Sequence, residues 1–185
     1  LINDEALVER AEIIREKGTN RSRFFRGMVD KYTWVDVGSS YLPSEVLAAY
    51  LYAQFEASEA IQSKRAQIWN RYQQHLSEWA QSHDVRLPTV PENCEQAYHM
   101  FYMLLPSLEI RTQLINHLKE RGILAVFHYL PLHLSDMGQQ FGGSPGDCPV
   151  TEEMSDRLLR LPFFYDLSEQ DQMEVIHALW SFEEG

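Results

Sequence analysis

Cysteine is scarce in this chain. Cys94 and Cys148 are the only two among 185 residues, and they form no CxxC pair. That usage argues against a disulfide framework and a structural zinc site, and it fits a reduced, cytoplasmic protein. Positive charge is also short: Lys and Arg total 16 against 27 Asp and Glu, a formal net charge of −11. Such a surface repels nucleic acid phosphates and anionic membranes, so no nucleic acid partner is expected. No apolar run is long enough to cross a bilayer, so no membrane partner is expected either. The basic region and apolar block of a signal peptide are missing. There is no GxGxxG and no Walker loop. An initiator Met is lacking too: Leu1-Ile2-Asn3-Asp4 reads as a strand end turning into a helix, which suggests a piece of a longer protein.

Apolar residues are plentiful, at 44% of the chain with 12% aromatic, enough for a packed core in one domain or two small ones. The organising stretch runs from Lys31 to Trp79. Residues 31–37 read as a short strand, and 38–43 as a turn. Pro43 and Ser44 suit a helix start, with Glu45 in the first turn. Apolar residues then recur at helical spacing from Val46 to Trp79, with no Gly or Pro before Pro88. One helix over 44–82 would be roughly 50 Å long at 1.5 Å per residue. Its aromatics are spread too broadly for a coiled-coil seam.

Before that stretch, Asn3 or Asp4 can cap a first helix that stops at Gly18, with Arg15 and Lys17 as favourable cations in its last turn. Residues 19–27 then carry Arg21, Arg23 and Arg26, the most basic run in an acidic chain. Such a run is either a solvated loop offsetting nearby acids or an anion clamp of arginine forks. After Pro88 and Pro91 the composition shifts. Residues 97–105 read as a buried strand, 108–121 as a helix closed by Gly122, and 123–129 as another strand. This alternation predicts an α/β layer packed on one sheet face. Residues 138–149, with four glycines and two prolines, read as a mobile loop. Thr151 can cap a helix over 152–160, and Ser168 with Asp171 opens the last helix, which runs to about Trp180.

Spacing alone reveals no complete catalytic constellation. His128 and His133 form the one close histidine pair, without a third zinc ligand. A His-Tyr pair at the end of a strand is where α/β folds place ligand contacts. Cys148 has no adjacent base, which discounts a thiol nucleophile. Gly38-Ser39-Ser40 ahead of a helix can cradle an anion, or be an ordinary Ser-rich turn.

Several stretches together resemble one family. These are Tyr32-Thr33-Trp34 and the turn after it, Ala97-Tyr98-His99-Met100-Phe101-Tyr102, Arg121-Gly122-Ile123, His128-Tyr129 with Pro131-Leu132-His133, and Leu161-Pro162-Phe163-Phe164. In this order they are similar to the C-terminal half of the DegT/DnrJ/EryC1/StrS sugar aminotransferases. The resemblance implies an α/β chain with the type I fold of enzymes dependent on pyridoxal 5'-phosphate. Residues 1–43 would end the large domain, 44–82 would form the interdomain helix, and 83–185 the small α/β domain.

The resemblance further implies amino transfer from glutamate to a dTDP-4-keto-6-deoxyhexose, in a homodimer with shared active sites. The Schiff-base lysine would lie upstream, because Lys17, Lys31, Lys64 and Lys119 do not match its motif. This stretch alone would then be inactive. Family members carry Asn-Tyr-Arg where this chain reads Ser40-Tyr41-Leu42. Ser40 would take the cofactor phosphate of the neighbouring subunit, and Leu42 cannot replace the arginine. Arg21, Arg23 and Arg26 would face the diphosphate of the sugar nucleotide, and His128 and Tyr129 the sugar. Two alternatives remain at this level: a dehydratase relative with histidine at the lysine position, and a non-catalytic dimerisation module.

Overall fold

The computed structural model describes residues 1–183 and divides them into two compact units, Leu1–Ala57 and Ser58 onward. In the first unit Asp4 accepts a hydrogen bond from the Ala6 N–H at 2.9 Å and opens a single 3-10 turn. Helix α1 (Val8–Arg15) follows, and α2 is the short helix Arg21–Phe25. Between them Lys17 and Gly18 both turn left-handed, at φ +60° and +74°. The Gly18 N–H closes α1 on the Ile13 carbonyl at 2.9 Å.

The strand expected at 31–37 is absent. The segment meets 16–19 through one isolated antiparallel bridge, Thr19 with Trp34, and a second, Glu16 with Ser40, lies in the turn that follows. The Gly18 carbonyl accepts from both the Val35 and Asp36 N–H groups, at 2.8 and 3.0 Å, so one acceptor is shared and no regular ladder continues. Two glycines let the backbones cross here. A Cβ on Gly18 would lie 1.7 Å from the Asp36 carbonyl oxygen, and one on Gly38 2.1 Å from the Gly18 nitrogen.

Ser44 caps α3 (Glu45–Glu56) by accepting from the Leu47 N–H at 3.3 Å. The single helix expected over 44–82 is interrupted. Ala57 leaves the helix at φ −93°, ψ 6°, and α4 (Ser58–Ser82) starts afresh. Ser58 and Glu59 are residue types that suit a helix start, and a change of helix needs neither Gly nor Pro. Every α3 residue is exposed, including Val46, Tyr50 and Phe55. Of the first unit's 57 residues only Gly18 is buried.

The second unit holds the core. One stripe of α4, Ile68, Tyr72, Leu76 and Trp79, is fully buried. It packs on α8 (Glu169–Trp180), and α5 (Leu108–Glu120) packs on α8 as well. Ser168 caps α8 as the sequence suggests, accepting from the Asp171 N–H at 3.0 Å, and Ser107 caps α5, accepting from the Ile110 N–H at 3.2 Å. Gln172 is wholly buried; it donates to the Ile68 carbonyl and accepts from Arg71, both at 2.7 Å. The Tyr72 hydroxyl donates to the Pro162 carbonyl at 3.0 Å, and burial pushes its pKa upward.

The sheet has three short strands in the order β1-β3-β2, joined by two antiparallel pairings. Strand β1 is Tyr102–Leu104 rather than 97–105, because Tyr98 sits at φ +48° and turns the chain. Strand β2 is only Val126–Phe127. The central strand β3, Leu158–Arg160, occupies the end of the helix expected over 152–160. Helix α7 (Pro149–Arg157) instead begins at Pro149, earlier than the expected Thr151 cap, and stops at Arg157. Met103 and Phe127 each face Leu159. Met103 and Leu159 are fully buried, whereas Tyr102, Leu158 and Arg160 are half-buried, so the core lies on one face of the β1–β3 pair, and Phe127 on the β2 edge is exposed. The loop expected over 138–149 is partly helical, with α6 at Asp136–Gln140.

Candidate functional site

Two places gather the candidate side chains, one in each unit. In the first unit the bridge between Glu16 and Ser40 sets the register. It is flanked by backbone bonds from the Lys17 N–H to the Ser39 carbonyl and from the Tyr41 N–H to the Arg15 carbonyl, both at 3.1 Å. A cavity of about 240 Å³ opens there, lined by Arg15, Glu16, Lys17 and Arg21 on one side and by Ser40 and Leu42 on the other. Tyr32 and Thr19 complete the wall. Arg21 pairs with Glu16 at 3.3 Å and lies 5.9 Å from the centre of the Tyr32 ring.

Ser40 and Arg21 therefore share one cavity. Arg23 and Arg26 are committed elsewhere: Arg23 donates to Glu9 at 2.7 Å, and Arg26 forms a forked pair with Glu12. The Arg26 bond holds the Glu12 carboxyl below its ordinary pKa range. Of the two readings of the basic run, charge offset describes the positions of Arg23 and Arg26. The cavity also contains two cations that the sequence presents only as helix-end charges, Arg15 and Lys17.

In the second unit the end of β2 carries His128 and Tyr129. Their rings meet edge to face at 5.1 Å, and the His128 Nδ1 is buried without a hydrogen-bond partner among the described residues. The Arg160 guanidinium stands 5.9 Å from the Tyr129 ring centre and donates to the Phe127 carbonyl at 3.3 Å. The Ser155 hydroxyl donates to the Tyr129 carbonyl at 3.0 Å. Arg111 donates to the Ser155 carbonyl at 2.6 Å; burial lowers its pKa, with the nearby Asp156 acting in the opposite direction. His133 does not join His128 in a cluster. It bonds Glu152 at 2.8 Å, and that carboxylate also accepts from the Gly146 and Cys148 N–H groups, at 2.9 and 3.3 Å.

Among the described residues no group of His, Cys, Asp and Glu could hold a metal ion, and Cys94 and Cys148 are free and exposed. No helix there is long and apolar enough to cross a membrane. A cationic cavity with a hydroxyl is chemistry for a phosphate.

Residues 1–180 match the model of the DegT/DnrJ/EryC1/StrS aminotransferase family. The chain belongs to that family. The erythromycin biosynthesis sensory transduction protein EryC1 of Saccharopolyspora erythraea is 29% identical over 180 residues, which are 95% of this chain and 44% of that protein. The dTDP-3-amino-3,4,6-trideoxy-alpha-D-glucose transaminase of Micromonospora megalomicea is 26% identical over 137 residues, 73% of this chain and 36% of that enzyme. Spr1654 of Streptococcus pneumoniae, solved in a PMP-form, superposes with a TM-score of 0.82 at 21% identity, covering 96% of this chain and 45% of that one. The same protein has a PLP-form. The chain thus spans about half the length of the relatives it matches, and it has the α/β fold of these aminotransferases over that stretch.

Proposed function

We propose that this chain is the C-terminal part of a sugar aminotransferase dependent on pyridoxal 5'-phosphate, acting on a nucleotide sugar. The observation that carries the reading is the shared cavity of Ser40 and Arg21, built into a chain of this family. Ser40 offers a hydroxyl donor, and Arg15, Lys17 and Arg21 offer positive charge, so the residues present fit a phosphate ester. What the cofactor supplies when bound is an electron sink for moving an amino group. The work of this chain is to hold and orient. Ser40 donates to a phosphate oxygen. His128 and Tyr129, with Arg160 beside them, line a polar edge suited to a sugar's hydroxyls. The lysine that carries the cofactor lies upstream, and the active sites are shared across a homodimer.

The transaminase relative named for a dTDP-amino sugar supports a dTDP-linked substrate. Our specific reading is amino transfer from glutamate to a dTDP-4-keto-6-deoxyhexose, giving dTDP-4-amino-4,6-dideoxygalactose as in enterobacterial common antigen and lipopolysaccharide synthesis, in the cytoplasm. The deciding experiment is the absorbance spectrum of the full-length protein with pyridoxal phosphate, before and after glutamate. Conversion to the pyridoxamine form, reversed by the keto-sugar nucleotide, is the expected result. Binding of pyridoxamine phosphate without a lysine-bound form would indicate the dehydratase-like alternative. No cofactor binding would leave only an interaction module.

A further inference from the structure

We propose that Lys17, seconded by Arg15, holds the phosphate monoester of the cofactor at the 240 Å³ cavity. This rests on the cofactor reading above and deepens it by making Lys17 the principal cation among the three that line the cavity. Four observations carry it. First, Lys17 and Arg15 line the cavity together with Ser40. Second, neither pairs with a carboxylate among the described residues, although Arg10, Arg21, Arg23, Arg26, Arg71 and Arg157 all do. In a chain of net charge −11, Lys17 lines this cavity without a close carboxylate, and Arg15 is engaged only at longer range by Glu12. Third, Lys17 is held at φ +60°, a conformation that non-glycine residues rarely adopt and that tends to persist at functional sites. Bonds on both flanks, Lys17 to Ser39 and Tyr41 to Arg15, fix it against the Ser40 segment. Fourth, Leu42, which also lines the cavity, brings no charge, so the charge that balances an anion beside Ser40 comes from the α1 end and Arg21.

The cavity's size favours a monoester over a nucleoside diphosphate. Pockets that bury a whole drug-sized ligand run to about 300–1,000 Å³, and this one is smaller. Arg21 is partly engaged by Glu16, which leaves Lys17 as the freer donor.

The test measures equilibrium dissociation constants of the full-length protein for inorganic phosphate, pyridoxal phosphate and dTDP by titration calorimetry. Lys17→Asn is the main variant, because Asn tolerates a positive φ. Lys17→Arg keeps the charge. Lys31→Gln removes one charge outside the cavity. Lys17→Asn should weaken phosphate and pyridoxal phosphate about tenfold, the usual worth of one charge-assisted hydrogen bond. Lys17→Arg should restore binding, and Lys31→Gln should match wild type. Equal effects of Lys17→Asn and Lys31→Gln would overturn the proposal, since only global charge would then matter. A loss confined to dTDP would also overturn it. Wild-type protein that binds phosphate but not pyridoxal phosphate would defeat the cofactor reading, and with it the assignment of Lys17 to the cofactor. Pyridoxal phosphate bound equally by wild type and Lys17→Asn would defeat the Lys17 assignment alone.

Discussion

Gln172 on α8 donates its side-chain N–H to the Ile68 carbonyl on α4 at 2.7 Å, inside a wall of aliphatic and aromatic side chains. Its oxygen is occupied by Arg71, which also pairs with Glu169 at 2.9 Å. One buried amide thus ties two helices and orients a guanidinium. Gln172→Leu keeps the size and removes both bonds. The expected cost is about 1–3 kcal/mol, the penalty for leaving buried polar groups unsatisfied. Urea denaturation checks it: an unchanged midpoint would mean that the amide only fills space.

Tyr72→Phe isolates a single bond in the same core. The ring stays packed against Phe101 at 5.1 Å, and only the donor to the Pro162 carbonyl is lost. A loss of about 1 kcal/mol is expected, with m unchanged.

Gly18→Ala combines two penalties. The left-handed backbone costs roughly 1–2 kcal/mol for a residue with a Cβ. The new Cβ would also lie 1.7 Å from the Asp36 carbonyl, so backbone must move. Amide exchange at Val35 and Asp36, whose N–H groups bond the Gly18 carbonyl, should accelerate sharply. Protection equal to wild type would show that the crossing relaxes freely.

Glu152 makes the 146–152 stretch sensitive to acid. The His133 bond is the main cause of its lowered pKa, helped by the Gly146 and Cys148 N–H groups and opposed by desolvation. A depressed folded-state pKa means that the stabilisation is complete above the ordinary carboxylate range and fades as pH falls below it. Amide protection at Gly146 and Cys148 should drop through that acid window. In Glu152→Gln the acid-dependent part of this drop should vanish.

His128→Ala tests the substrate edge. If His128 contacts the sugar as proposed, kcat/KM for the keto-sugar nucleotide should fall about tenfold, the worth of one hydrogen bond, while the spectrum of the bound cofactor stays as in wild type. Unchanged kinetics would remove His128 from the site.

Sequence patterns spoke clearly where a feature is local. Ser44, Ser107 and Ser168 sit where the first helical N–H groups need an acceptor three residues away, and each does accept one. Gly122, at φ +74°, closes α5 for an equally local reason. Leu158–Arg160 was invisible as a strand because its conformation depends on partners more than 30 residues distant, and a three-residue strand shows no alternation. The break at Ala57 carries no Gly or Pro to announce it. At the site, the arginine-rich run stood out by composition. The engagement of Arg23 and Arg26 by Glu9 and Glu12, each 14 residues away, did not. Lys17 was masked by a simpler role, since a cation at a helix end already has a reason to be there.

Only Gly18 is buried in the first unit, while α3 presents Val46, Leu47, Tyr50, Leu51 and Phe55 outward. A unit without an interior has no free energy reservoir of its own. Its order therefore depends on backbone hydrogen bonds and exposed ion pairs, not on buried side chains. The Ser58-onward unit, with Trp79, Tyr72 and Leu118 fully enclosed, carries a core of its own. Local opening of this chain would then begin in the first unit, with amide exchange faster through α3 than through α4.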